Sequence, residues 1–247
     1  MNSPFSLFDK TILVTGASSG IGRGIAIACA RMGASVIITG RNEKRLKETL
    51  SLMGGSRNSF IIADLVKDED RESLVSQLPL LDGVVNNAGI GNRVLCKNIT
   101  EKDIDSVMSV NFMSPVLLQS LLLCKKRIIK GGSIVFIASR AADSPSIGNA
   151  VYSASKGAII SYSKCLGLEV APQKIRVNCI CPAMVWTDLI QQEGILKEDL
   201  EEAQKRYPLK RYGQPEDIAN LTVYLLSDAS AWMTGSCIDI TGGEKGL

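Results

Sequence analysis

The chain has 247 residues, 45% hydrophobic and 21% charged, with 28 basic against 25 acidic side chains and a formal net charge of +3. That balance excludes a disordered chain, a collagen-like chain and a disulfide miniprotein, and it gives no reason to expect nucleic acid or an acidic membrane as partner. With no histidine at all, Ser-His-Asp and Cys-His catalysis, His-ligated metals and a His general base are removed, so proton chemistry falls to Tyr, Lys, Asp, Glu, Cys or water.

Along the chain, apolar runs alternate with longer amphipathic stretches. Residues 11–15 (TILVT) read as a buried strand and 20–32 as a helix stopped at Gly33. Strands follow at 35–39, 59–63 and 83–86, separated by helices at 42–53, ended by Gly54-Gly55, and at 68–78. Residues 100–129 form a long helical region closed by Gly131-Gly132. After it come a strand at 133–138, a helix at 152–170, a strand at 176–181, a helix at 215–226 and a last strand at 236–240. Strands apolar throughout imply burial on both faces, and strand–helix alternation implies parallel pairing with right-handed crossovers. The expected fold is an α/β, three-layer, doubly wound sheet of about seven parallel strands with helices on both faces. No linker, repeat or low-complexity tract divides it, so residues 1–247 are expected to form one domain. The irregular stretch is 186–213, where ILKEDLEEAQKRY has a helical pattern; an excursion of this length is expected to be a lid or binding element.

The seven cysteines, at 29, 96, 124, 165, 179, 181 and 237, are odd in number and irregular in spacing. Only Cys179 and Cys181 lie close; strand alternation puts both on one face, and no second pair completes a zinc site, so no metal is expected. The thiols read as buried and free in a reducing cytosol, which implies a cytoplasmic protein. The first ten residues lack a basic segment followed by an apolar core, so no signal peptide is expected. The longest apolar stretch, 116–124, is interrupted by Gln119 and Ser120 and is too short to span a bilayer.

The first strand runs directly into Thr15-Gly16-Ala17-Ser18-Ser19-Gly20-Ile21-Gly22. Glycines between a strand and a helix let the backbone approach a pyrophosphate, and the helix N-terminus supplies free N–H groups and partial positive charge. The spacing TGxxxGxG differs from GxGxxG and resembles the short-chain dehydrogenase/reductase family. Five further features fall in register with that family. Asn86-Asn87-Ala88-Gly89 resembles its NNAG motif, and Tyr152-Ser153-Ala154-Ser155-Lys156 its YxxxK motif. Ser139 stands at the family's usual interval before Tyr152, and Asn111 lies where its fourth catalytic residue falls. Pro182-Ala183-Met184-Val185-Trp186-Thr187 resembles its PGxVxT segment. In overall pattern the chain is similar to 3-oxoacyl-carrier-protein reductases.

The resemblance implies an NAD(P)-binding Rossmann domain and a cofactor site made by Gly16, Ser18, Ser19, Gly20, Ile21, Gly22, Arg41, Asp64, Leu65, Asn86, Ala88, Gly89, Tyr152, Lys156, Pro182, Ala183, Val185 and Thr187. NAD-preferring enzymes typically place an acid at the end of the second strand; here Gly40 and then Arg41 occupy that place. A guanidinium grips a 2′-phosphate with forked hydrogen bonds, which favours NADP(H) over NAD(H). A solvent-exposed Arg in a basic loop with Lys44 and Arg45 is the alternative. Asp64 reads equally as an adenine contact or a nearby helix N-cap. Three positions depart from the family. Ser19 stands where many NADP-dependent relatives carry a basic residue, Ala138 where a second serine is usual, and Ala183 where glycine is usual. If position 183 needs φ > 0 or close cofactor approach, alanine costs about 1 kcal/mol or more.

The implied catalytic group is Asn111, Ser139, Tyr152 and Lys156. Tyr152 and Lys156 share a helix face at i and i+4. An ammonium ~4 Å from a phenolate stabilises it by up to ~4 kcal/mol at an effective dielectric of ~20, enough to tune a phenol as acid and base. Ser139, at the carboxyl end of the fifth strand, is placed to hydrogen-bond a substrate oxygen as charge develops. Pro115 has no N–H to give the carbonyl of Asn111, so the helix is expected to kink and free that carbonyl for a water in the family's proton relay from Lys156. A kink serving only packing is the alternative.

The expected activity is NADPH-dependent reduction of a carbonyl to a secondary alcohol, with a 3-oxoacyl thioester as the guess by likeness. The alternatives are an NAD-linked alcohol, polyol or sugar dehydrogenase and a non-catalytic nucleotide-binding regulator. Val94, Leu95, Ile147, Trp186, Leu189 and Ile190 suggest a partly apolar substrate. Lys125, Lys126, Arg127 and Lys130 end the long helix either as complement to its dipole, the favoured reading, or as a dock for an acyl-carrier protein. The family is commonly tetrameric or dimeric, so a homotetramer or homodimer is expected. The stripe Val116, Leu117, Leu121 and Leu122 suits an interface or the core equally.

Overall fold

The computed structural model describes residues 3–191 and 196–244. Strands β1 (Thr11–Thr15), β2 (Ser35–Gly40), β3 (Ser59–Ile62), β4 (Leu81–Asn86), β5 (Ile128–Ile137), β6 (Arg176–Pro182) and β7 (Cys237–Ile240) form one sheet in the order β3-β2-β1-β4-β5-β6-β7. All six pairings are parallel. The order reverses beside β1, and a crevice opens there at the carboxyl ends of β1 and β4, where open α/β sheets bind ligands.

The strands are apolar on both faces because each face has its own core. Ile12, Val14, Val85, Val135 and Ile137 join a cluster with α1 (Gly20–Arg31) and α9 (Pro215–Leu226). Their neighbours Leu13, Val84, Ile134 and Phe136 join a second cluster with α3 (Asp68–Gln77), α5 (Ser114–Cys124) and α6 (Ala150–Val170). Each buried Val, Leu or Ile contributes roughly 1.5–3 kcal/mol. Cys179 and Cys181 both fall in the second cluster, as strand alternation requires. All seven cysteines are free, yet only Cys29, Cys179 and Cys181 are buried; Cys96, Cys124, Cys165 and Cys237 are exposed, against the expectation of burial.

The long helical region also resolves differently. It is α4 (Glu101–Met108), a π turn at Ser109–Met113 and then α5, and it ends at Cys124. Lys126 takes a left-handed φ of 52° and β5 begins at Ile128, paired with Leu81, so Lys130 stands on a strand. The four basic residues therefore do not cap one helix. Pairing of Leu81 with Ile128 was hidden because a register shift separates it from the Gly83 pairing, where Gly131 and Gly132 interrupt the apolar run. The run Glu101–Cys124 is long and apolar enough to cross a membrane by length and composition, but it holds buried Asn111, Ser114 and Gln119 and packs on α6 and α3 as a core helix.

The excursion after β6 carries α7 (Asp188–Gln191) and α8 (Lys197–Gln204); residues 192–195 of the expected lid lie outside the described residues. Its base is closed by two bonds, Trp186 N–H to Gly213 O and Gly213 N–H to Met184 O, both 2.9 Å. Ile190, Leu200 and Tyr212 form a third small core, with Trp186 and Tyr207 packed against it.

Candidate active site

The glycine turn is shaped by backbone demands. Gly16 and Gly20 have φ of 64° and 53°, which favour glycine. The turn is stitched to the end of β4. Thr15 Oγ1 accepts the N–H groups of Asn87 and Ala88 at 3.0 and 3.1 Å, and Asn87 Nδ2 donates to the carbonyls of Thr15 and Gly16 at 3.0 and 3.1 Å. Ser19, the N-cap of α1, makes no side-chain cap bond, so the first-turn N–H groups are left for another acceptor.

A cavity of about 560 Å³ runs from this turn to the ends of β5 and β6. Of the expected site residues, Gly16, Ser18, Ser19, Gly20, Ile21, Arg41, Asp64, Leu65, Ala88, Gly89, Ser139, Tyr152, Lys156, Pro182, Ala183, Val185 and Thr187 line it. Gly22, Asn86 and Asn111 stand behind its wall. Asn86 points its amide to α5 instead, accepting from Gln119 Nε2 at 3.1 Å. Asn87 takes the place beside the turn, a role that the motif alone did not distribute between the two asparagines.

At the end of the cavity beside β2, Arg41 is exposed and makes no hydrogen bond or ion pair with any described residue. Arg45, four residues on, also lines the cavity but is paired with Asp188 at 3.0 Å, joining α2 (Glu43–Met53) to α7. Asp64 caps no helix: its Oδ1 accepts the Val66 N–H at 3.2 Å, and Lys67 holds the N-cap position of α3. Ala183 is not among the residues with positive φ, so the alanine causes no backbone strain; its N–H donates to Ile240 O at 3.2 Å.

At the other end, Ser139 leaves β5 in extended geometry and caps a short 3-10 turn, its Oγ accepting the Ala141 N–H at 3.1 Å. Lys156 is buried; its Nζ donates to Ile137 O at 2.9 Å and lies 5.7 Å from the centroid of the Tyr152 ring. Asn111 works through its side chain. Its Oδ1 accepts the Ile90 N–H at 2.8 Å, and its Nδ2 donates to Ile90 O at 3.0 Å and Ser155 Oγ at 3.1 Å. Ser155 Oγ in turn donates to Tyr152 O at 2.7 Å. The π turn holds Asn111 there: Ser114 N–H reaches back five residues to Ser109 O, and Pro115 has no N–H to extend an α-helical ladder. Gly89 separates two of these groups, since a Cβ there would lie 3.3 Å from Asn111 Oδ1 and 3.4 Å from Lys156 Nζ.

Burial pulls the Lys156 ammonium down from an ordinary 10.5 to about 8, with the Cys179 and Cys181 thiols opposing the shift. Below about 8 both native and unfolded states are protonated and the burial cost is present in full; between 8 and 10.5 the unfolded chain binds more protons, so stability rises with pH. Lys156→Met is expected to flatten that rise, read as the change in melting temperature between about pH 7.5 and 10 for the two proteins.

The substrate wall differs from expectation. Of the five apolar candidates whose side chains are described, only Ile190 lines the cavity; Ile147 and Leu95 are 84% and 47% exposed, and the Leu189 side chain lies outside the described residues. The segment after Ser139 presents Arg140, Ser144, Ser146 and Asn149 instead. Beside these exposed residues, Val94 and Gly148 are tied by a 2.8 Å backbone bond, Val94 N–H to Gly148 O.

Sheet order, glycine turn and crevice together define a Rossmann-type nucleotide-binding protein. The family model described as enoyl-(acyl carrier protein) reductase matches residues 16–245. An L-xylulose reductase of Caenorhabditis elegans is 37% identical, with 98% of each chain covered. The 3-oxoacyl-acyl-carrier-protein reductase FabG of Rickettsia felis is 36% identical over 96% of this chain and 97% of its own. Among solved structures, a putative NAD(P)-dependent gluconate 5-dehydrogenase from Beutenbergia cavernae with bound NADP superposes with a TM-score of 0.88 at 33% identity, covering 98% of each chain. An actinorhodin polyketide ketoreductase variant with NADPH gives a TM-score of 0.87 at 29% identity, again over 98% of each chain. The chain belongs to the short-chain dehydrogenase/reductase family, oxidoreductases that interconvert carbonyl and CH–OH groups with a nicotinamide cofactor. The residues present fit such a cofactor: an uncapped helix N-terminus beside a glycine turn suits its phosphates, and the cavity continues from there to Tyr152 and Lys156.

Proposed function

We propose that the protein is an NADP(H)-dependent reductase that converts a carbonyl to a secondary alcohol. The observation that carries this reading is the meeting of Ser139, Tyr152 and Lys156 on one cavity with the glycine turn. When bound, the reduced nicotinamide supplies hydride to the carbonyl carbon. Tyr152 gives its phenolic proton to the carbonyl oxygen, and Ser139 donates a hydrogen bond to that oxygen while its own Oγ is oriented by the Ala141 N–H. Lys156, beside the Tyr152 ring, keeps positive charge where negative charge develops. Asn111 positions rather than reacts: it locks Ile90 and, through Ser155, the first turn of α6.

NADP(H) is favoured because Arg41 is an uncommitted guanidinium at the adenosine end and Gly40 supplies no carboxylate to repel a 2′-phosphate. Arg41→Leu is expected to raise the NADPH dissociation constant at least roughly tenfold and leave that of NADH within about twofold, measured by nucleotide fluorescence titration. Tighter NADH than NADPH binding by the unaltered protein would favour the NAD-linked dehydrogenase reading. Turnover of any carbonyl excludes a purely regulatory role. Free thiols throughout the chain support a reducing, cytoplasmic setting. Exposed Met113 and Leu117 on the α5 side support assembly into a homodimer or homotetramer, which light scattering tests. Similarity to FabG makes a 3-oxoacyl thioester, and with it an acyl-carrier protein, one arm of the substrate test.

A further inference from the structure

From the wall beside Ser139 we infer that the substrate is a small, uncharged, polyhydroxylated ketone, and that Arg140 sets this specificity. The inference rests on the carbonyl-reductase reading above. Arg140 follows Ser139 directly and lines the same cavity with Ser144, Ser146 and Asn149. The side chains of Ser144, Ser146 and Asn149 make no hydrogen bond to any described residue. Asn149 holds the N-cap position of α6 and still forms no cap bond, although asparagine is among the residues that cap best. Two hydroxyls and an amide are thus uncommitted next to the reacting position.

Arg140 is held only loosely, with Nη1 3.4 Å from Asp143 and 3.5 Å from Asp239. Its remaining N–H groups have no partner among the described residues. The two carboxylates outnumber its single positive charge, so a carboxylate or phosphate brought up to Arg140 would enter beside like charge. A neutral hydroxyl accepts from the guanidinium without that cost. An acyl chain would strip water from the four polar side chains and return no hydrogen bonds. Met184 and Ile190 add apolar surface to the lining of the same cavity and suit the C–H side of a hydroxylated carbon chain. Mixed donors and acceptors together with apolar surface match a ketose, not a thioester-linked acyl chain or a keto acid.

The test is steady-state reduction by NADPH of L-erythrulose, L-xylulose, acetoacetyl-N-acetylcysteamine, 5-ketogluconate and 2,3-butanedione, with the intact protein and Arg140→Leu. A site built to bond hydroxyls rejects analogues that lack them. The expected kcat/KM for at least one ketose exceeds those for the thioester and the keto acid by roughly tenfold or more. In Arg140→Leu the ketose-to-butanedione selectivity ratio is expected to fall about tenfold, chiefly through the ketose KM. Equal or better turnover of the thioester or the keto acid overturns the inference, as does an unchanged ratio in the variant. Reduction of butanedione with no reduction of either ketose overturns the substrate class and leaves the reductase reading intact. Failure of every carbonyl brings down both.

Discussion

Tyr152→Phe is expected to lower carbonyl reduction roughly 10²–10⁴-fold, the range supplied by a positioned general acid. The substitution removes one oxygen and leaves the ring, so the neighbouring Lys156 keeps its aromatic contact and its bond to Ile137 O. Tyr152 also holds the first turn of α6 through a backbone carbonyl, which accepts from Ser155 and is untouched by the change. NADPH titration should therefore give a dissociation constant within about twofold of the unaltered protein, while single-turnover hydride transfer collapses. Full activity in the variant would remove Tyr152 from the chemistry.

Gly22→Ala is expected to destabilise the fold by roughly 3 kcal/mol, since overpacking a well-packed site typically costs ~1–3 kcal/mol and here backbone must move. A Cβ on Gly22 would stand 2.4 Å from both Asn87 Nδ2 and Gly16 O. Asn87 Nδ2 is the group that ties the glycine turn to β4, so relief of the clash loosens the stitch as well as the helix. For a protein of this size that is about 6–12 °C in melting temperature. NADPH binding should weaken in the same variant because the turn shifts. Gly157 is the contrast: a Cβ there meets nothing within 4 Å. Its alanine variant should melt no lower than the unaltered protein, and a loss equal to that of Gly22→Ala would show that the clash is not the cause.

Most of the sheet was legible because burial on both faces leaves an unmistakable run of apolar residues, as in TILVT of β1 and the VNCIC of β6. β5 was read five residues late. Its first residues, Ile128 to Lys130, include a charged side chain and precede two glycines, so period and composition pointed to a helix end; the pairing with Leu81 is a tertiary fact. The same holds within 100–129. Pro115 signalled an interruption, but whether the chain kinks or inserts a π turn is decided by what Asn111 and Ser114 can bond. The candidate cofactor and catalytic residues were singled out by motif spacing, and the structure brings most of them to one cavity. Asn86 and Asn87 show the limit: adjacent residues leave a strand in opposite directions, and the motif does not say which faces the turn. The substrate wall was the least legible part. Its membership depends on loop direction, and Ile147 and Leu95 stand exposed beside a 94–148 backbone contact that joins segments distant in sequence.

The π turn also has a rotational consequence. Val107 and Leu118 are both fully buried. Along an uninterrupted α-helix the eleven residue steps from one to the other make about three turns, and both would face one direction. The extra residue in the π turn advances the angular phase by roughly 100°. The helical run thereby meets two neighbours, α6 before and within the turn and α3 after it. Asn111 sits at the phase boundary. Removing any one residue from Ser109–Met113 would restore a single phase and put α4 and α5 in competition for the same face. The asparagine would then leave Ile90 and Ser155 even though its identity was unchanged.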